Sequence, residues 1–236
     1  MLVKEQLAKM GRIEAFVEKL ADVSLPNVFN PYRDKCPIFD VDDAPSIRRA
    51  NLLNLLEAAR DQSVISIWVA RDLGYRGGRR TGLALTDEYH LPLMASIFGD
   101  IELRRSTFGP PVKERTATTI WNVVERVADP IFMWNAFPFH PHLPDEPMSN
   151  RCHRRSERQK LDWVLNEILD LLKPKSVYSI GGDAKKCLST MGLKTTAFRH
   201  PSYGGQTEFI TQVERAYNLQ PCSISKTFGT RQLELL

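Results

Sequence analysis

The fold is decided by one stretch of the chain, which runs Ser63-Val-Ile-Ser-Ile-Trp-Val-Ala-Arg-Asp-Leu-Gly-Tyr-Arg-Gly-Gly-Arg-Arg-Thr-Gly-Leu-Ala-Leu-Thr-Asp87. It begins with a largely apolar, β-branched run from Val64 to Val69, which predicts a strand buried on both faces. The run ends in polar residues and glycines, and Asp72 lies just past its end, among Arg71, Arg76, Arg79 and Arg80. The cationic, glycine-rich loop is suited to binding an anionic polymer. A carboxylate held at the strand end is suited to a reaction that needs a fixed negative charge.

The length and composition of the chain favour one α/β domain. Its 236 residues, 42% of them hydrophobic, suffice for a sizeable core, and we expect one domain over residues 1–236, with residues 1–60 as a helical extension packed on it. No apolar run approaches the roughly 18 residues of a membrane-spanning helix. The start, Met1-Leu-Val-Lys-Glu5, lacks the pattern of a secretory signal. We therefore expect a cytoplasmic monomer without a membrane partner.

The formal net charge is only +4, and the distribution of the basic residues is more informative than this total. Basic residues cluster at Arg71–Arg80 and at Arg151–Lys160. Beside candidate site residues, a nucleic-acid contact explains such clusters as well as a solvated face does. The cysteines are far apart and form no CxxC pair, which favours reduced structural thiols over a zinc or iron–sulfur site; they are Cys36, Cys152, Cys187 and Cys222.

Strands and helices alternate along the predicted secondary structure. Three further apolar runs predict strands at Ile131–Trp134, Val177–Ile180 and Thr195–Phe198. Helices are predicted over Lys4–Ala21, Thr116–Val127, Ala184–Met191 and Glu208–Tyr217. Two more are predicted from their ends: one begins after an N-cap at Ser46, and one runs from Ser156 until Pro174 stops it. The alternation predicts a three-layer α/β/α fold with a central, four-stranded, mostly parallel sheet.

Other segments are less regular. Leu91–Pro111 is ambiguous and is expected to hold a helix near Leu93–Phe98 and a short edge strand. Prolines predict irregular structure in Pro26–Pro45 and in the loop after Asn135. That loop contains His140 and His142, whose spacing between prolines favours an ordered loop over a metal pair.

Polar residues follow the end of each predicted strand. Asp72, Asn135, the Gly181-Gly182 turn and His200 occupy these positions. Because the carboxyl ends of parallel strands share one edge of a sheet, residues remote in sequence are expected to meet in one crevice.

These segments together resemble the uracil-DNA glycosylase superfamily over about Val64 to Tyr217. Its first motif, Gly-Gln-Asp-Pro-Tyr-His followed by Gly-Leu-Ala-Phe, is similar in spacing to Ala70-Arg-Asp-Leu-Gly-Tyr75 and Gly82-Leu-Ala-Leu85. Its strand ending in Leu-Asn-Ala is similar to Trp134-Asn-Ala136, and its His-Pro-Ser-Pro-Leu-Ser motif to His200-Pro-Ser-Tyr-Gly-Gly205. The resemblance implies that family's fold and a DNA glycosylase without a metal or other cofactor.

The resemblance also implies roles for the matching residues. Asp72 would face the sugar and stabilise its positive charge, and His200 would donate a hydrogen bond to O2 of the departing base. Asn135 would pair with the ring edge of a flipped pyrimidine, on which Leu85 would stack weakly. DNA phosphates would be bound by the loop arginines 71, 76, 79 and 80 and by Ser202, Gly181 and Gly182.

Two departures from the family pattern bear on the substrate. Gly204 replaces the leucine that enters the base stack, so Tyr203 or a residue of another loop has to take its place. Gly74 replaces the tyrosine that faces C5 of uracil, which leaves room for a large 5-substituent. We therefore expect a bulky modified cytosine, such as the glucosylated 5-hydroxymethylcytosine of phage DNA that some superfamily members remove in bacterial defence. The glucose on such a base would be contacted by Arg71, Arg76, Tyr75 or the proline-rich loop after Asn135.

Three other functions stay open from the sequence. The first is a conventional uracil-DNA glycosylase, which Gly74 disfavours, and the second is a DNA-binding module without activity. The third, a nucleotide-binding α/β enzyme, is disfavoured because the first strand is followed by neither GxGxxG nor GxxxxGK[ST]. No lysine lies at a motif position, so the enzyme is expected to leave an abasic site without cutting the strand.

Overall fold

A computed structural model describes residues 11–221 of the chain, and a four-stranded parallel sheet lies at the centre of this part. The strands, in chain order, are β1 (Val28–Phe29), β2 (Ser66–Ala70), β3 (Ile131–Asn135), β4 (His140–Pro141), β5 (Ser176–Ile180) and β6 (Thr196–Phe198). The central sheet has the order β3-β2-β5-β6, and every neighbouring pair in it is parallel. The predicted strand from the opening stretch is β2, and all its residues are buried.

Helices cover the sheet, which confirms the predicted α/β/α fold. They are α1 (Arg12–Ala21), α2 (Ala44–Asp61), α3 (Gly78–Thr81), α4 (Leu91–Ile97), α5 (Arg115–Val124), α6 (Arg155–Gln159), α7 (Asp162–Leu172), α8 (Gly182–Thr190) and α9 (Gln206–Ala216). Helices α1, α2 and α7 contact one another, and α5 contacts α9. Apolar residues of α1 and α2 belong to the same hydrophobic cluster as the strands.

Aromatic side chains fill the core beneath the sheet edge that carries the polar residues. Trp68, in the middle of β2, is fully buried, and its indole N–H donates to the Tyr217 hydroxyl at 2.9 Å. The rings of Phe198 and Phe209 meet the Trp68 ring edge to face at 5.6 and 5.9 Å. This packing joins β2 to β6 and α9, so the carboxyl ends of β2 and β6 have fixed positions relative to each other.

Several element boundaries differ from the sequence prediction. The helix predicted from Ser46 begins at Ala44, because Pro45 is tolerated in a first helical turn. The long helix predicted from Ser156 is divided into α6 and α7, with Leu161 as the N-cap of the second. Residues 98–111 form no strand, and Thr107 makes only an isolated bridge to Asp40.

Short elements escaped prediction because they contain too few residues to show a period. Strands β1 and β4 form a two-residue antiparallel pair inside segments that were expected to be irregular. Helix α3 forms inside the glycine-rich loop after β2. The predicted helix over Lys4–Ala21 is confirmed from Arg12 onward, and its first residues lie outside the described part.

Cys36, Cys152 and Cys187 are free thiols, and Cys222 lies outside the described residues. Between residues 11 and 221, no helix has the length and apolar character needed to cross a bilayer.

Candidate active site

The carboxyl ends of the central strands bring the predicted polar residues to one edge. Asp72 follows β2, Asn135 is the last residue of β3, Gly181 follows β5, and His200 lies just beyond β6. Ala70 pairs directly with Asn135 in the register of β2 and β3. The residues that were remote in sequence therefore share one edge of the sheet, as predicted.

The Asp72 carboxylate is held on both of its oxygens. Its side chain is only 6% exposed, and Arg71 Nε donates to Oδ2 at 2.6 Å. His153 Nδ1 contacts Oδ1. Arg71 also bridges to Asp183 in the first turn of α8, so one guanidinium joins the β2 and β5 ends of the edge. Charge-assisted contacts of this kind fix the orientation of a carboxylate.

His153 is a site residue that sequence reasoning missed. It comes from the long loop between β4 and α6 and lies 81 residues from Asp72 along the chain. Its ring stacks on Phe137, with 5.1 Å between ring centres and 24° between planes. Its only sequence signal was its place in the basic cluster Arg151–Lys160, for which a nucleic-acid contact and a solvated face were equally good explanations.

His200 is held as a neutral imidazole. The Ser202 backbone N–H donates to Nδ1 at 3.2 Å, so the ring accepts at Nδ1 and carries its proton on Nε2. Burial, together with the cations Arg71 and Arg199, lowers the pKa of His200 below its ordinary value. A Cβ at Gly181, where φ is +87°, would lie 3.1 Å from His200 Cβ, so glycine is needed for the close approach. The ring is therefore positioned to donate one hydrogen bond without carrying charge.

Asn135 contributes a buried acceptor. The residue is 2% exposed, and its Oδ1 has no hydrogen-bond partner anywhere in residues 11–221. Such an oxygen costs about 1–3 kcal/mol unless a ligand or water binds it. It is the kind of group that aligns a polar planar ligand at this edge.

Glu114, the N-cap residue of α5, lies over the turn that contains Gly74 and Gly77. A Cβ at Gly74 would be 3.7 Å from Glu114 Oε1, and one at Gly77 would be 2.3 Å from Oε2. Burial and the neighbouring Asp87 raise the pKa of the Glu114 carboxyl to about 7, against the opposing effect of Arg76. No sequence motif singled out this residue.

The loop after β6 presents the predicted DNA-contacting residues. Tyr203 is 99% exposed and adopts a left-handed backbone with φ of +52°, and the following Gly204 is also exposed. The Ser202 hydroxyl lies 3.3 Å from that of Thr116. Leu85, after α3, is half-buried and is left-handed as well. Tyr203 thus protrudes from the surface beside His200.

The glycine turn after β5 fits the phosphate prediction only in part. The Gly181 N–H donates to Phe198 O at 2.8 Å, so the prediction that it binds phosphate is wrong. The strand pairing between β5 and β6 uses this donor. Gly182 is exposed at the start of α8 and stays a candidate phosphate contact.

Two of the loop arginines are structural, which corrects the prediction that they bind DNA. Arg79 is 3% exposed, donates to His140 Nδ1 at 2.9 Å and lies 3.7 Å from the centre of the Phe29 ring. Arg80 is 8% exposed and pairs with Glu88 at 2.9 Å. The formation of α3 turns both side chains inward, which the local composition of the loop did not reveal.

His140 confirms the expectation of an ordered loop. It accepts from Arg79 and donates from Nε2 to Ser149 O at 2.8 Å. Burial and the adjacent Arg79 cation lower the pKa of His140 to about 3. The histidine therefore ties the loop after β4 to α3.

We expect Arg80→Met to lower the free energy of unfolding by about 2–4 kcal/mol, because it leaves the buried Glu88 without its main cation. Arg76→Met, at an exposed position of the same loop, is expected to change it by less than about 0.5 kcal/mol. Urea denaturation of both variants measures the difference. Equal stability of the two variants would contradict the structural role of Arg80.

The fold and this edge define an α/β protein whose ligand site lies at the carboxyl ends of a parallel sheet. Among solved structures, wild-type SMUG2 from Pedobacter heparinus has a similar fold, with a TM-score of 0.63 and 13% sequence identity, over 89% of this chain and 97% of that one. At this identity the likeness concerns the fold. Neither a family model nor a curated protein matches the sequence.

Proposed function

We propose that the protein is a monofunctional DNA glycosylase that flips a modified pyrimidine out of DNA and hydrolyses its N-glycosidic bond. The observation that carries the proposal is the buried Asp72 carboxylate at the same sheet edge as the neutral His200 and the unpaired Asn135. The fold likeness to SMUG2, a member of the uracil-DNA glycosylase superfamily, supports the general activity.

Asp72 has the surroundings that the sugar half of the reaction requires. Breaking the glycosidic bond places positive charge on the deoxyribose, and a fixed carboxylate stabilises that charge. Arg71 and His153 hold the Asp72 oxygens before the substrate arrives, so little reorientation is needed. The same carboxylate can orient the water that attacks the sugar.

His200 has the surroundings that the base half requires. Negative charge develops on the departing ring, and a hydrogen bond from His200 Nε2–H to its O2 stabilises this anion. Because the Ser202 N–H occupies Nδ1, the ring offers its donor from a single nitrogen. Asn135 pairs with the ring edge of the flipped base, and Leu85 packs against its face.

The accessible donors around this edge bind the DNA phosphates, and they are Arg76, Gly182 and Ser202. Arg71, which pairs with Asp72, lies nearer the deoxyribose. Tyr203 enters the base stack and fills the place of the extruded nucleotide. A fully exposed aromatic ring at a loop tip is suited to stacking on bases and otherwise lies unfavourably in water.

We expect Tyr203→Ala to slow base release from duplex DNA by about tenfold to a hundredfold, because base stacking contributes about 1–3 kcal/mol. Release from a single strand should change by less than about threefold, since no stack has to be opened there. Single-turnover rates on both substrates measure the ratio. A similar loss on both would contradict insertion into the stack.

The substrate we propose is a cytosine with a bulky 5-substituent, such as the glucosylated 5-hydroxymethylcytosine of phage DNA, removed in anti-phage defence. Gly74 supports this choice, because it replaces a bulky ring of the resembled family, and a Cβ there would meet only Glu114 Oε1, at 3.7 Å. The enzyme would act in the cytoplasm as a monomer, as one domain with residues 1–60 as its helical extension.

The test is incubation with duplexes that carry uracil, 5-hydroxymethylcytosine or its glucosylated form, followed by mass measurement of the released base. We expect release of the glucosylated base and an intact strand with an abasic site. Efficient uracil release without action on the modified bases would support a conventional uracil enzyme. Tight DNA binding without release of any base would support an inactive binding module.

A further inference from the structure

We infer that His153 is the general base of the reaction: it takes a proton from the water that attacks the deoxyribose, while Asp72 holds its ring and faces the sugar. The inference rests on the proposed function and assigns one of its steps to a residue outside the motifs that carry the family resemblance. The two side chains divide the work as the carboxylate and the imidazole of a catalytic triad do.

The contact with Asp72 determines which nitrogen of the His153 ring carries the proton. An ionised carboxylate only accepts hydrogen bonds, so Nδ1 of His153, which contacts Asp72 Oδ1, is the donor. In the neutral ring Nε2 then has a free lone pair. An imidazole in this tautomer is the group most often used as a general base near neutral pH.

The Nε2 atom of His153 is free to accept that proton. Across residues 11–221 no group hydrogen-bonds to it, and the atom is not sealed from solvent. The access is narrow, because the side chains of His153 and Asp72 are only 11% and 6% exposed. A water molecule can therefore reach the base, while the rest of the pair is shielded by protein.

The His153 ring is held in place without the use of Nε2. The buried Glu157 carboxylate accepts from Arg151 Nη2 at 2.7 Å and from the Arg154 backbone N–H at 2.6 Å, so it joins the chain on either side of His153. The ring also stacks on Phe137, two residues beyond the end of β3, with 5.1 Å between ring centres. A general base has to be held within hydrogen-bond reach of the proton that it accepts, and these contacts supply that constraint.

The proton transfer completes the hydrolysis. The water oxygen forms a bond to C1′ of the deoxyribose, and the bond from C1′ to the base nitrogen breaks, with its electron pair leaving on the base. One water proton passes to His153 Nε2, and the hydroxyl group stays on the abasic sugar. Asp72 stabilises the imidazolium that forms, and His200 stabilises the departing base. Solvent then takes the proton from His153 and supplies one to the released base.

His153→Asn separates a base from a residue that only positions Asp72. The asparagine amide can take the place of Nδ1 and donate to Asp72, but it has no basic nitrogen. With enzyme in excess, we expect release of the base that wild type removes fastest to slow about a hundredfold or more, the contribution of a general base. Affinity for an uncleavable 2′-fluoro duplex should stay at the wild-type value.

The matched control is His142→Asn, which changes a half-exposed histidine whose ring hydrogen-bonds to the Leu143 carbonyl, and it should keep the wild-type rate. A rate for His153→Asn within about threefold of wild type would overturn the inference, because the position of Asp72 alone would then be sufficient.

Rescue of His153→Ala by small molecules is the second test. Imidazole fits the space beside Phe137 and can take the proton, whereas pyrazole has the same shape and an N–H donor but is a far weaker base. We expect imidazole to raise the rate about tenfold or more above that with pyrazole. Equal rates with the two compounds would overturn the inference. If wild type releases no base from any duplex, the proposed function itself fails; release that is undiminished in His153→Asn refutes the role of His153 alone.

Discussion

Asp72→Asn is expected to reduce single-turnover base release by about a thousandfold or more, because it removes the charge that stabilises the cationic sugar, a contribution of about 4 kcal/mol. The amide has nearly the shape of the carboxylate: its oxygen can still accept from Arg71 Nε, while its NH2 group on the His153 side can donate but no longer accept. The measurement is quenched-flow release of the modified base with enzyme in excess over DNA.

The control for this variant is Asp170→Asn, which changes an exposed carboxylate on α7 and should leave the rate unchanged. DNA affinity and the melting temperature of Asp72→Asn should stay close to wild type. An undiminished rate would show that Asp72 is not the group that stabilises the sugar.

His200→Ala is expected to lower the same rate by about a hundredfold to a thousandfold, the usual loss when one preorganised donor to a developing anion is removed. The pKa of His200 is lowered by burial and by nearby cations, so the ring is neutral at pH 7 and is protonated only on acidification. Protonation of Nδ1 breaks the hydrogen bond from the Ser202 N–H. We therefore expect the contribution of His200 to be complete at neutral pH and to fall on the acid side.

His142→Ala is the matched control, since within residues 11–221 the side chain of this half-exposed histidine hydrogen-bonds only to the Leu143 carbonyl and packs beside the His140 ring. It should release the base at the wild-type rate. If His200→Ala and Asp72→Asn both kept full activity or full biological effect, a DNA-binding module without catalysis would be the better hypothesis.

The placement of Asp72, Asn135 and His200 could be predicted because it depends on the residues next to them in the chain. Each follows a short apolar run, and parallel strands carry their ends to one edge. The sequence was equally informative about the core, since the run from Val64 to Val69 was predicted to be buried on both faces and its Trp68 is 0% exposed.

The arginines of the glycine-rich loop show where local composition misleads. A cluster of cations predicts an exposed basic surface, yet Arg79 and Arg80 are buried. Arg79 contacts the Phe29 ring and His140, which come from distant segments, and Arg80 pairs with Glu88, eight residues further along the chain. A buried charge is tolerated only with such partners, and the local sequence does not show that the turn of α3 brings these arginines to them.

By itself the sequence determined which segments form the central strands and which polar residues end them, because strand formation and strand ends depend on near neighbours. Only the tertiary structure decided what surrounds those residues: His153 on the carboxylate of Asp72, and Glu114 over the turn at Gly74. Both contacts join segments that are far apart along the chain. They arise from how loops and helix ends pack across the sheet edge, and no local pattern of residues encodes that packing.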